Sequence, residues 1–191
     1  MGRDRRDANI TRHAGALGAM GGRAEPAATA LAESVVADND ESVRDAASDA
    51  LGRIGAATIP VLRRLATAKD AGVRWRVAAA LGRMKQGAQP ASDMLQKLLA
   101  DAEPIVRITA CEAWWQVQSS GKAIVPILAT LLGGDDRAIR MRSLKQLTLM
   151  PSERESVRAA IAPLLRDDRA IIRELAEKLL EKLDAGDEPA P

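Results

Sequence analysis

The chain has 191 residues, of which 47% are hydrophobic and only 2% aromatic, with three Trp and no Phe or Tyr. Lys and Arg number 28 against 26 Asp and Glu, for a net charge of +2, a balance that argues against a strongly electrostatic nucleic-acid binder. A single cysteine, Cys111, cannot form an internal disulfide and fits a reducing cytoplasm; no apolar run is long enough to span a membrane.

Residues 1–7 are charged, and no apolar h-region follows, so they are expected to be a disordered lead rather than a signal peptide. The segment Ile10 to Met20 reads as a degenerate first helix that caps the array. Gly21-Gly22 ends it, and Ala27 to Ala37 forms its partner helix.

From Asp38 onward one unit recurs. Its centre is an apolar residue followed by Arg: Val43-Arg44, Val73-Arg74, Val106-Arg107, Ile139-Arg140 and Ile172-Arg173, with the arginines 30, 33, 33 and 33 residues apart. A fixed period in the low thirties is the signature of a stacked repeat protein. Counting each Arg as zero, position plus three is Ala47, Val77, Ala110, Ser143 and Ala176. Position plus seven is Leu51, Leu81, Trp114, Leu147 and Leu180, and plus ten is Ile54, Met84, Val117, Met150 and Leu183. Together with the apolar residue before the Arg, these steps of four, four and three make one stripe on an α-helix. Asp residues four to six positions before each Arg (Asp38 and Asp40, Asp70, Asp101, Asp135 and Asp136, Asp167 and Asp168) are placed to cap it.

A second helix fits between successive copies. Pro26, Pro60, Pro90 and Pro126 open four of these, as proline suits a first helical turn. The fifth is expected to begin at Ser152, with Glu155 completing a capping box and Pro163 shortening its end. Residues 38–166 thus hold four helix pairs. A last helix, Asp168 to Leu183, keeps the core stripe but carries the charged outer face a terminal repeat needs. Residues 185–191 read as an unstructured tail.

The unit P-x-x-x-L…D-x-x-V-R-x-x-A-x-x-x-L-G resembles HEAT repeats, in particular the short HEAT-like type of phycobilin lyases. Leu51-Gly52 and Leu81-Gly82 match best; Trp114-Trp115, Leu147-Thr148 and Leu180-Glu181 keep the large residue and lose the glycine. The resemblance spans residues 8–184. It implies an all-α fold: a single-domain α-solenoid of about five and a half antiparallel helix pairs in a right-handed superhelix.

Catalytic candidates are few. His13 is the only histidine, and neither H-x₃-H nor C-x₂-C spacing occurs, so no metal or cofactor site is expected. HEAT enzymes that hydroxylate a protein lysine derivative rely on His-Glu pairs, which are absent here. Cys111 has no basic neighbour in sequence and reads as a small hydrophobe. The Asp/Arg recurrence appears in every unit, which assigns it to ties between adjacent turns rather than to acid–base chemistry.

Two surface rows remain. In HEAT arrays the second helices line the concave side, which would place Arg63, Arg64, Gln96, Lys97 and Thr130 along a groove able to meet an acidic partner peptide; a merely solvated charged face is the competing reading. Position plus one of the first helices projects opposite the core stripe. Its middle occupants, Trp75, Ile108 and Met141, extended by Trp115, would form a convex apolar stripe for a partner or a second copy of the chain, unless tilted helices bury them. The expected function is a non-enzymatic scaffold for a protein partner. The resemblance adds a lyase-like or chaperone-like subunit as the alternative. It adds thirdly a HEAT-like nucleic-acid binder or DNA glycosylase relative gripping through Arg63, Arg64, Arg74, Arg76, Arg83 and Lys85.

Overall fold

The computed structural model describes residues 25–185. The expected first helix at Ile10 to Met20, His13, the lead at residues 1–7 and the tail beyond Ala185 lie outside these. Among the described residues every regular element is a helix. The chain clusters into two compact units, Met1–Ser119 and Ser120–Pro191.

The first unit contains α1 (Glu25–Ala37), α2 (Glu41–Ile54), α3 (Ile59–Leu65), α4 (Ala71–Met84), α5 (Ser92–Leu99) and α6 (Pro104–Gln118). The first helices α2, α4 and α6 pack side by side, while α1 lies on α2 and α3, and α5 on α6. Their stripe forms the core: Val43, Ala47, Leu51, Ile54, Val73, Val77, Leu81, Val106, Ala110 and Val117 are all buried. Each fully buried Leu or Val contributes about 1.5–3 kcal/mol. The plus-seven Trp114 is only half-buried. The Leu-Gly pairs have a packing reason. A Cβ on Gly52 would lie 2.8 Å from the Ala80 carbonyl oxygen, and one on Gly82 would lie 3.0 Å from Ala113 Cα. Glycine lets neighbouring first helices approach nearly backbone to backbone.

The capping expectation holds with one variation. Asp40 and Asp70 are N-caps, accepting from Ser42 N–H at 3.1 Å and Gly72 N–H at 2.7 Å. Asp101 lies two residues ahead of its N-cap, Glu103, and accepts that residue's N–H at 2.9 Å. Pro90 departs from expectation. It lies in a 3₁₀ turn, Lys85–Ala91, and α5 starts only at Ser92. Lys85 at φ 52 ends α4 and turns the chain into that segment.

The second unit contains α7 (Val125–Leu132), α8 (Arg137–Thr148), α9 (Arg154–Ile161) and α10 (Ala170–Ala185). Helix α8 packs on α7 and α10, and α9 on α7. Ile139, Ser143, Leu147, Met150, Ile172, Ala176 and Leu183 are buried. Asp136 caps α8 through the Ile139 N–H at 3.0 Å. The capping box expected at Ser152 and Glu155 does not form. A 3₁₀ turn at Pro151–Glu153 precedes α9, no side chain caps that helix, and the Glu153 carboxylate instead accepts the Gly121 N–H at 2.9 Å. Pro163 acts as expected: α9 ends at Ile161 and tightens into a 3₁₀ turn, Ala162–Arg166.

The recurrent arginine has a defined task. Arg74 Nη1 donates to the carbonyls of Ala68 and Lys69 at 2.9 and 2.8 Å, and Arg107 Nη1 to those of Asp101 and Ala102 at 2.6 and 2.7 Å. In the second unit Arg140 reaches Gly134 and Asp135, and Arg173 reaches Asp167 and Asp168. The guanidinium thus folds back on the connection before its own helix and satisfies two carbonyls that have left the helical hydrogen-bond pattern. The Asp/Arg ties expected between neighbouring turns also occur, mostly through other arginines: Arg63–Asp93, Arg76–Asp45 and Arg83–Asp49 in the first unit, Arg169–Asp135 in the second.

Candidate functional site

On the second-helix face of the first unit, α1, α3 and α5 leave two grooves. The first, between α1 and α3, has a volume of about 350 Å³ and is lined mainly by Ala32, Val36, Val61 and Leu65, with Glu33 and Arg64 at its rim. Val36 is 51% exposed, one of four large apolar side chains so exposed among the described residues. The helix pattern explains this. Val35 fills the core, so its neighbour Val36 must point away from it.

The second groove lies between α3 and α5 and is smaller, about 80 Å³, with Arg63, Thr67 and Lys97 beside Met94 and Leu98. Arg63 is held in place by Asp93, whose two carboxylate oxygens accept from Nη1 and Nη2 at 2.5 and 3.0 Å. The guanidinium, with Lys97 adding its field, holds the Asp93 carboxyl below the usual range, and the carboxylate raises Arg63. Arg63, Arg64, Gln96 and Lys97 are exposed, as the sequence predicts. Thr130 is exposed too, but it belongs to the second unit, and its hydroxyl donates to the Pro126 carbonyl at 3.0 Å. Its neighbour Ala129 is buried.

The opposite row corrects the sequence reading. Ile108 has no exposed surface and belongs to the core; Trp75 and Trp115 are half-buried; Met141, in the second unit, is 47% exposed. No continuous stripe of Trp75, Ile108 and Met141 exists. The reason is visible one repeat earlier. Asp45, at plus one of α2, meets Arg76, at plus two of α4, with Nε–Oδ1 at 2.7 Å. The plus-one Asp45 therefore sits at the seam between α2 and α4, where a flanked helix buries more than one stripe.

Sequence reasoning did not anticipate what fills that seam. The Arg76 side chain is only 2% exposed, lies 4.4 Å over the Trp75 ring, and reaches Asp45, Glu41 and the Gly72 carbonyl. Asp45, Trp75 and Arg76, with Asp49, Ala79 and Arg83, line a groove of about 420 Å³. Acidic residues at Glu41, Asp45 and Asp49, one helical turn apart, were the available signal. Each cation there faces a carboxylate, which makes the seam a tie between repeats.

Cys111 is buried, and burial, with Glu112 beside it, pushes its thiol up to about 12. No described helix is long and apolar enough to cross a membrane, and no three metal-capable side chains cluster among the described residues.

Helix pairs stacked repeat by repeat define an α-solenoid. The profile of the HEAT-repeat family matches residues 5–82, 28–113 and 91–181, and the chain belongs to that family. Among solved structures an engineered protein is similar at 20% identity with a TM-score of 0.51, over 92% of this chain and 90% of that one. A designed armadillo repeat protein gives 17% and 0.49 over 93% and 92%. The complex of CpcE and CpcF of phycocyanin lyase from Nostoc sp. PCC7120 gives 19% and 0.36 over 92% and 88%. No curated protein matches.

Proposed function

We propose that this chain is a protein-interaction scaffold that holds an extended segment of a partner against α1, α3 and α5. The observation that carries the reading is the half-exposed Val36 in a groove of about 350 Å³ rimmed by Glu33 and Arg64, with the Arg63–Asp93 pair and Lys97 alongside. Exposed apolar surface rimmed by polar groups is the composition of a recognition site. No catalytic role is assigned: the buried Cys111, with its thiol pushed up to about 12, is a poor nucleophile at neutral pH. The lyase-like alternative rests on resemblance alone, with no observation at these grooves to favour it. The nucleic-acid reading is weakened by pairing, because Arg63, Arg74, Arg76 and Arg83 each face a carboxylate.

A random peptide library selected on the immobilised protein tests the proposal. Enriched clones should bind wild type and fail on a Val36→Glu variant that keeps its helical circular dichroism. Clones that bind both proteins equally would place recognition elsewhere and overturn it.

A further inference from the structure

Independently of the grooves on α1, α3 and α5, we infer that the outer face of α8 docks an acidic segment of a partner protein, one that presents an apolar side chain between carboxylates. Helix α8 contains Arg137, Arg140, Arg142 and Lys145 and no acidic residue. Arg140 is occupied by the Gly134 and Asp135 carbonyls, and Arg142 is also engaged within the chain. Arg137 and Lys145 are exposed, and among the described residues no ion pair engages either. The acids nearest in sequence are committed elsewhere: Asp135 pairs with Arg169, and Asp136 caps α8.

The repeat register shows what this helix lacks. In the first unit Asp49 of α2 pairs with Arg83 of α4, at plus five and plus nine from their repeat arginines. The same positions on α8 and α10 hold Lys145 and Lys182. Both are exposed and neither is in an ion pair among the described residues, so an acid–base tie is replaced by two like charges. Such a surface is complementary to an anion supplied from outside. Its apolar element selects the partner class. Met141 lies one turn from both Arg137 and Lys145, about 6 Å of helix rise from each, and is 47% exposed. A phosphate backbone offers charge but no aliphatic surface for Met141. A flat anionic membrane would also meet the exposed Glu174, Glu177 and Glu181 of α10, which packs beside α8. A narrow protein segment with Asp or Glu on either side of an aliphatic group satisfies Arg137, Met141 and Lys145 together and avoids those carboxylates.

Fluorescence polarisation with the full chain tests this. The probes are two labelled peptides, Glu-x-Leu-x-Glu and Glu-x-x-x-Leu-x-x-x-Glu with Ala at x, which space the three side chains about 7 Å apart in a strand and about 6 Å apart in a helix. At least one should bind, weaken about tenfold on Lys145→Glu, weaken further as salt rises, and lose affinity when Ser replaces its Leu. Lys145→Glu should leave the melting temperature unchanged or higher, because it puts a carboxylate where α2 has Asp49. Failure of both peptides, affinity indifferent to Lys145→Glu, or equal binding of the Ser peptide, an oligothymidylate or phosphatidylserine vesicles would overturn the inference. A lowered melting temperature would give Lys145 a structural partner and overturn it too. Val36→Glu should leave this binding intact, so failure here and failure of the groove reading are told apart.

Discussion

Replacing Arg74 by Met tests the account of the recurrent arginine at its most connected copy. Arg74 donates to two connection carbonyls and also, through Nε and Nη2, to both carboxylate oxygens of Asp101 at 2.7 and 2.8 Å. The pair is well shielded, with side-chain exposures of 15% and 9%. Net charge-assisted bonds are worth about 1.5–3 kcal/mol, and the more exposed carbonyls regain water, so the whole loss should be about 3 kcal/mol. Of this, about 1.5–2 kcal/mol should appear as coupling in a double-mutant cycle with Asp101→Asn, which keeps an acceptor for the Glu103 N–H. Urea unfolding followed by tryptophan fluorescence is the assay, since Trp75, Trp114 and Trp115 all lie in the first unit. The pH dependence is fixed by sign. Arg74 hydrogen bonding holds the Asp101 carboxyl below its usual value. Its contribution is therefore complete above the unfolded value near pH 4 and is lost as pH falls through the depressed folded value. Coupling below about 0.5 kcal/mol at pH 7, or coupling unchanged at pH 2, would refute the assignment of Asp101 as the partner that matters.

Gly52→Ala gains about 1 kcal/mol of helix propensity but forces a Cβ to 2.8 Å from the Ala80 carbonyl oxygen; overpacking costs about 1–3 kcal/mol, so a net loss near 1 kcal/mol is expected in the same urea assay. A stabilised variant would mean that α2 and α4 separate freely. Ile108→Ala should cost about 2–5 kcal/mol, and Met141→Ser less than about 0.5 kcal/mol, because one is fully buried and the other 47% exposed. A small cost for Ile108→Ala would contradict its place in the core. Cys111 should resist a thiol reagent in the native protein and react promptly once concentrated guanidinium unfolds the chain. Fast native labelling would show that its helix opens.

The period and stripe made the fold legible before any coordinates. Val73, Val77 and Leu81 lie on one helical face because 3.6 residues per turn leaves no other arrangement, and Asp70 precedes them because a helix start needs an acceptor. The exposed second-helix residues Arg63, Arg64 and Lys97 were legible for the same reason, since each helix there has a free side. Only tertiary structure decided which neighbour each arginine meets. Arg74 serves two carbonyls and Asp101, while Arg76, two residues on, is buried over Trp75. It alone decided that Ile108 is core while Met141 is half-exposed. Periodicity records the face a residue occupies on its own helix; burial depends on the helix next to it, and that contact lies about thirty residues away in sequence, where no local pattern reaches.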